Sequence, residues 1–388
     1  MGLPEWIILA FVFSMGCCIG SFLNVVIYRL PREKSLVFPG SACPACGKSI
    51  RFYDNIPVLS WLALGAKCRN CKASVSARYF VIECLTGLTF LGVFVAYFQL
   101  GVIKDMPNLL TAGWVLYVVH MILISALIAS SAIDLELWII PLSICWFVTG
   151  TSLVGITAVA GALANTGPLP SMLPQASPVT GALAVGAAAG LVISLILLAL
   201  GKIKRSYELD SAVEPQKNSE PESGPFDDEH LYNHRREMCY EVVFLGPVIV
   251  LACAAYWITH SVPAVNEWWA ELMDKPVATA FLGSLWGYFV GCAVVWATRI
   301  FGTLGFGKEA MGLGDVHLMG AVGAVVGAKM VTVAFFIAPF FGLAWAAFHM
   351  FYKKSRQIPY GPFLSLGSFT VMILHDWMVQ RLLLLYGG

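Results

Sequence analysis

Runs of about 20 apolar residues recur along this chain from near its start to its end, and each is long enough to cross a bilayer core of about 30 Å as a helix. The runs are Glu5–Tyr28, Tyr79–Leu100, Leu110–Ile133, Trp138–Ala162, Thr180–Leu200, Val242–Thr259, Val277–Ala297, Asp315–Tyr352 and Phe363–Leu385. The run from Asp315 is too long for one crossing. It carries Gly320, Gly323 and Gly327, with Lys329 as a natural turn, so it reads as two helices. The expectation is an all-α polytopic membrane protein with about ten transmembrane helices. Only 12% of the 388 residues are charged, about half the share of a soluble domain. That is too little to cover a water-facing surface, which excludes soluble, disordered, collagen-like and small disulfide-framework classes. The net charge of +1 gives no electrostatic footprint for nucleic acid. No basic flank precedes the first run, while Arg29 and Arg32 follow it, so it reads as a retained helix and not a cleaved signal.

Orientation follows from where the basic residues sit. With ten helices, twenty of the 24 Lys and Arg fall in four loops on one side: Arg29–Arg78, Gly201–Glu241, the loop before Asp315 with Arg299 and Lys308, and the segment with Lys353, Lys354 and Arg356. The other side keeps Lys104, Lys275, Lys329 and Arg381. The rich side is cytoplasmic by the positive-inside rule, which puts both termini outside. The chain then divides into a first helix (1–28), a cytoplasmic segment (29–78), a helical stretch (79–162), an extra helical hairpin (163–260) and a final set of helices (261–388). Within the hairpin, residues 201–241 carry ten acidic and six basic residues with Pro and Ser, the composition of a flexible loop.

Four of the eleven cysteines form CPAC (Cys43, Cys46) and CRNC (Cys68, Cys71), a C-x2-C-x21-C-x2-C pattern. Two such knuckles present four thiolates that can close a tetrahedron around zinc. Their cytoplasmic placement argues against disulfides. Four protein ligands leave no open position, so the site is structural. The other cysteines, such as Cys17, Cys18 and Cys292, lie in apolar runs as small hydrophobes.

Acidic residues in or beside membrane spans are costly, so each is a candidate for function. Glu5 and Asp376 lie near exterior ends, where a carboxylate simply meets water. Asp134 ends the third span in SSAIDLELWIIP, and Asp315 opens a later helix in MGLGDVHLMGAVGA. Both therefore arrive at the same face. Gly312 and Gly314 let the backbone turn tightly before Asp315. As lone residues, Asp315 reads equally as a helix-capping group and Asp134 as a solvated helix-end carboxylate. As a close pair they would share a proton. The charged member could then activate water while the protonated one polarises a peptide carbonyl.

These residues together resemble the type IV prepilin peptidase family. GSFLNVVIYRLP (20–31), the cysteine segment 43–71, ARYFVIECLTG (77–87), AIDLELWIIP (132–141), GLGDVHLMGAVGA (312–324) and IPYGPFLSLG (358–367) are similar to the family's motifs and come in its order. The resemblance implies a GxGD-type membrane aspartic protease that removes the basic leader of type IV prepilins or type II secretion pseudopilins. Many members also methylate the new amino terminus with S-adenosylmethionine. It implies Asp134 and Asp315 as catalytic, Cys43, Cys46, Cys68 and Cys71 as zinc ligands, and Glu83, Gly312, Gly314 and His317 as residues of a substrate or methyl-donor site. It also implies a bacterial inner-membrane location, the lipid bilayer as surroundings, and pilus or secretion assembly proteins as partners.

The chain departs from the family pattern in several places. Leu142 follows Pro141 where a second aspartate is frequent, His317 stands where Lys is common, and Ala66 interrupts the small-residue run before Cys68. The family core has eight helices, so Thr180–Leu200 and Val242–Thr259 read as an inserted hairpin, either inert or a docking surface. For Glu83 the alternatives are a contact to leader or methyl donor, and a buried partner for Arg78. Two other classes fit paired carboxylates less well. A transporter would place polar groups at the bilayer midplane, and a non-catalytic assembly factor would have no need of both aspartates.

Overall fold

The structure, a computed structural model, describes residues 4–165, 167–207, 233–350 and 359–385. The acidic run 208–232 and the residues Tyr352, Lys353, Lys354, Arg356 and Ile358 lie outside the described residues. In chain order the helices are α1 (Glu5–Arg29), α2 (Leu59–Ala63), α3 (Ala77–Phe98), α4 (Trp114–Leu137), α5 (Leu142–Leu163), α6 (Pro178–Ala199), α7 (His234–Ser261), α8 (Pro263–Met273), α9 (Pro276–Phe306), α10 (Leu313–Val326), α11 (Ala328–Met350), α12 (Gly361–Ile373) and α13 (His375–Leu385). Among the described residues there is no strand, only two isolated β-bridges in the cysteine segment. The protein is an all-α membrane protein.

Among the described residues, eight helices are long and apolar enough to cross a membrane, and a ninth span exists if the bent pair α12–α13 counts as one. The expected tenth is α10. At 14 residues it is only about 21 Å long, too short to face lipid across a bilayer. Nearly every residue from Asp315 to Val326 is buried, because α4, α5, α9, α11 and α12 enclose it. A short helix suffices there because it has no lipid-facing length to cover. At its far end the uncharged loop after α5 dips inward, with Met172 and Leu173 buried and Pro174 against Gly327.

Several boundaries differ from the sequence expectations. The break between α10 and α11 falls at Gly327, whose φ of 82° is one that a residue with a Cβ rarely adopts; Lys329 lies inside the first turn of α11. The last apolar run bends by 81° after Ile373. Trp138 does not open a span. It closes α4 in a left-handed conformation at φ 58°, and α5 starts at Leu142. Arg299, expected in a loop, lies within α9, and Glu241, counted among the loop acids, lies within α7. The amphipathic helix α8 had no counterpart in the sequence reading.

The helices meet through small residues, as lipid-embedded helices do. A Cβ at Gly20 would sit 2.7 Å from the Cα of Glu83, and one at Gly16 would sit 2.8 Å from the Cα of Gly87. Residue numbers rise on α1 as they fall on α3, so the two helices run antiparallel in near backbone contact.

Candidate active site

Asp134 lies one turn from the end of α4, buried, and its carbonyl accepts the Trp138 N–H at 3.0 Å. Its carboxylate Oδ2 accepts the backbone N–H of Gly361 at 2.9 Å. Gly361 opens α12, behind Tyr360. Ser131 on α4 also donates to Ser365 on α12 at 2.9 Å, so the two helices are tied at adjacent turns.

Asp315 is the third residue of α10 and is buried. Gly312 takes the N-cap position, and the carboxylate of Asp315, at N3, reaches back to its backbone N–H. A Cβ at Gly312 would lie 3.3 Å from Asp315 Oδ2, and one at Gly314 would lie 2.8 Å from the Cβ of Ile140. Ile140 also reaches Gly361 with its Cδ1. Ile140 therefore packs against both Gly314, beside Asp315, and Gly361, which holds Asp134, and the Asp315 carboxylate feels the charge of Asp134. Tyr360 borders the same space, close enough to feel Asp315.

His317 does not join this pair. Two residues on from Asp315 it points to another side of α10. There its Nδ1 lies 3.4 Å from the Tyr288 hydroxyl, and its ring is 5.5 Å from that of Trp146. Glu83 is buried on α3 and accepts the Val58 N–H at 2.8 Å. It fastens the cysteine segment to the bundle. Arg78 pairs with Glu136, two residues beyond Asp134, so of the two alternatives for Glu83 the pairing with Arg78 is not formed.

The four cysteines converge. Their sulfurs all lie within 4.8 Å of one another, and Cys43 and Cys71 are 3.8 Å apart. A tetrahedron with metal–sulfur distances of about 2.3 Å has edges of about 3.8 Å, so the spacing fits a four-thiolate metal site. The two knuckles share one backbone pattern. Cys43 N–H bonds to Lys48 O at 3.0 Å, and Cys68 N–H to Ala73 O at 2.8 Å. Gly47 and Lys72 take φ of 69° and 59° at the same place in each turn. Backbone amides aimed at sulfur stabilise thiolates. Those of Cys71 and Asn70 bring the Cys68 thiol down to about 6, and that of Lys48 lowers Cys46. The cluster could hold a metal ion.

Among the residues around the site, Glu136 belongs to the few acids in or beside spans, whereas nothing in the sequence marks Ile140, and Arg299 and Glu241 fall among the loop charges. Glu136, two residues after Asp134 and opposite a basic α3 start, carried the only usable signal.

The molecule is a polytopic helical bundle in which separate helices bring two buried carboxylates near Ile140, with a four-thiolate segment attached at the same end. Known proteins place it more narrowly. Residues 14–97 match the Bacterial Peptidase A24 N-terminal domain, and residues 244–347 match the Type IV leader peptidase family. The chain thus carries both a Bacterial Peptidase A24 N-terminal domain and a Type IV leader peptidase domain.

A prepilin leader peptidase/N-methyltransferase of Myxococcus xanthus is 44% identical over 134 residues, 34% of this chain and 36% of that protein. A type 4 prepilin-like proteins leader peptide-processing enzyme of Escherichia coli is 42% identical over 139 residues, 31% of this chain and 46% of that protein. A prepilin leader peptidase/N-methyltransferase of Aeromonas salmonicida is 23% identical over 98% of this chain and 97% of its own length. The chain thus spans less than half of the first two relatives and nearly all of the third. No solved structure matches.

Proposed function

We propose that the chain is a membrane aspartic endopeptidase that removes the basic leader peptide from type IV prepilins or type II secretion pseudopilins and then N-methylates the exposed amino terminus. The observation that carries this reading is the pair Asp134 and Asp315, buried on α4 and α10 and joined through Ile140 and Gly361. The names of the relatives supply the substrate class and the methyl transfer.

Two buried carboxylates in each other's field share one proton. The ionised member takes a proton from water as the water oxygen bonds to the scissile carbonyl carbon. The protonated member gives its proton to the carbonyl oxygen, as in aspartic proteases. The C–N bond then breaks as the first proton passes to the leaving amine, and a hydroxyl of the intermediate returns its proton to the other aspartate, which restores the shared proton and leaves a carboxylic acid. Gly361 N–H holds Asp134 Oδ2 in one orientation throughout. S-adenosylmethionine is the donor for the methyl group. Gly312 and Gly314 let the segment that carries Asp315 pack closely, Gly314 against Ile140.

Cys43, Cys46, Cys68 and Cys71 would hold zinc. A closed four-thiolate site contributes fold and no open position for chemistry. The basic side of the molecule is cytoplasmic in this reading, in a bacterial inner membrane with both termini outside. Assembly proteins of the pilus or secretion machinery are the natural partners beyond the substrate.

The test is cleavage of a synthetic prepilin in detergent by wild type, Asp134→Asn and Asp315→Asn, with product masses read in the presence of S-adenosylmethionine. Wild type should cut after the leader glycine and add one methyl group, and each variant should be inert. Retained cleavage by both variants would put the chemistry elsewhere.

A further inference from the structure

The α6–α7 hairpin is bound to the rest of the protein through a buried charge cluster. Arg299 on α9 is 2% exposed and Glu241 on α7 is 4% exposed. Arg299 Nε donates to Glu241 Oε1 at 3.0 Å and Oε2 at 3.2 Å. Trp296 Nε1 and Ser206 Oγ donate to the same carboxylate at 2.6 and 3.1 Å. The Tyr207 ring lies 5.5 Å from the guanidinium. With its other arm, through Nη1, Arg299 binds Glu309 and the backbone carbonyl of Met311. Met311 directly precedes Gly312, the N-cap of the helix that carries Asp315.

An arginine fork is planar and rigid, so fixing one edge fixes the direction of the other. Glu241 fixes the Nε edge, and the Nη1 edge then holds the Met311 carbonyl. One buried carboxylate on the hairpin is thereby linked, through a single side chain, to the backbone four residues before Asp315. Glu241 also lies outside both segments that match the family, 14–97 and 244–347.

We propose that Glu241 is a positioning residue for Asp315, acting through Arg299 and the Met311 carbonyl, which makes the α6–α7 hairpin a working part of the catalytic end. The proposal rests on the peptidase reading for its kinetic consequence but not for its structural one. A hairpin that merely decorates the bundle would need no buried carboxylate aimed at α9. Without Glu241, Arg299 retains Glu309 as its carboxylate partner and is free to swing toward it, releasing Met311.

The experiment compares full-length wild type with Glu241→Gln and with the double variant Glu241→Leu/Arg299→Met. The double variant leaves no unpaired buried charge, a replacement that folds are known to accept. Two readouts are taken: kcat and KM on a synthetic prepilin, and amide hydrogen exchange of the peptide covering 307–315. Both variants should lose about tenfold in kcat, the scale expected for a small misplacement of a catalytic group, with KM unchanged and faster exchange in 307–315. Wild-type kcat in either variant, or unchanged exchange, overturns the proposal. If wild type cuts no prepilin, the peptidase reading fails on that ground, and the exchange result alone decides whether Glu241 holds the loop.

Discussion

The backbone N–H of Gly361 donates to Asp134 Oδ2 at 2.9 Å, and a Cβ on Gly361 would sit 2.6 Å from that same oxygen. No ordinary contact is that short, so Gly361→Ala must move the carboxylate, the start of α12, or both. The helix itself favours Ala over Gly, so the variant should fold. Its kcat should fall by about 10- to 100-fold, because a displacement near 1 Å at a reacting group is that costly. Steady-state cleavage of a prepilin peptide, normalised to folded protein by thermal unfolding, measures it. Full activity would mean that the Gly361 contact has no part in catalysis.

The metal site makes a separate forecast. Wild type should carry one zinc per chain by elemental analysis, and Cys46→Ser should lose it. A structural zinc contributes on the order of 10 kcal/mol to the segment it closes, so losing one thiolate should leave 41–75 exchanging its amides like an unfolded chain. The packing of α1 on α3 lies outside the knuckles and should survive, with helical content close to wild type. A metal-free wild type with a protected cysteine segment would refute the assignment.

The helices were legible because each apolar run is long and bounded by charge, which is all that a lipid-facing helix requires. The cysteine knuckles are legible from spacing, whereas the two aspartates stand out only through the motifs around them, since a lone acid at a membrane face reads equally as a solvated or capping group. What the sequence concealed depends on packing between distant residues. Arg299 and Glu241 are 58 residues apart, and nothing periodic announces that two charges counted in loops are buried against each other. Helix α10 reads as a full span by composition, yet stays short because five helices enclose it. The bend after Ile373 has no proline to mark it. Ile140 matters only because Gly314 and Gly361 meet it from either side.

Arg78 at the start of α3 pairs with Glu136 at the end of α4, two residues past Asp134. The side chains are 32% and 37% exposed, so the pair contributes at most about 1 kcal/mol to stability. Its larger effect is to register the cysteine segment against the Asp134 turn. Arg78→Glu and Glu136→Arg alone should each lower cleavage several-fold, with little change in unfolding temperature. The double reversal should restore most of the loss, because the charges then meet in the opposite order. Additive losses in the double variant would show that the two residues act independently.

Asp54 and Arg69 form a bidentate pair across the cysteine segment, with Nη2–Oδ1 at 2.7 Å and Nε–Oδ2 at 2.9 Å. The Arg69 hydrogen bonds hold the Asp54 carboxyl below its ordinary value. A carboxyl with a lowered folded value stabilises fully above its unfolded value, about 3.9. The contribution disappears as pH falls through the lowered one. At neutral pH, Asp54→Asn should therefore raise amide exchange in the peptide covering 52–63 relative to wild type. The difference should hold down to about pH 4 and close below it, when wild-type Asp54 is itself neutral. Comparing the two proteins at each pH removes the intrinsic pH dependence of exchange. A difference that stays constant through the acid range would show that the Asp54 charge does not hold this segment.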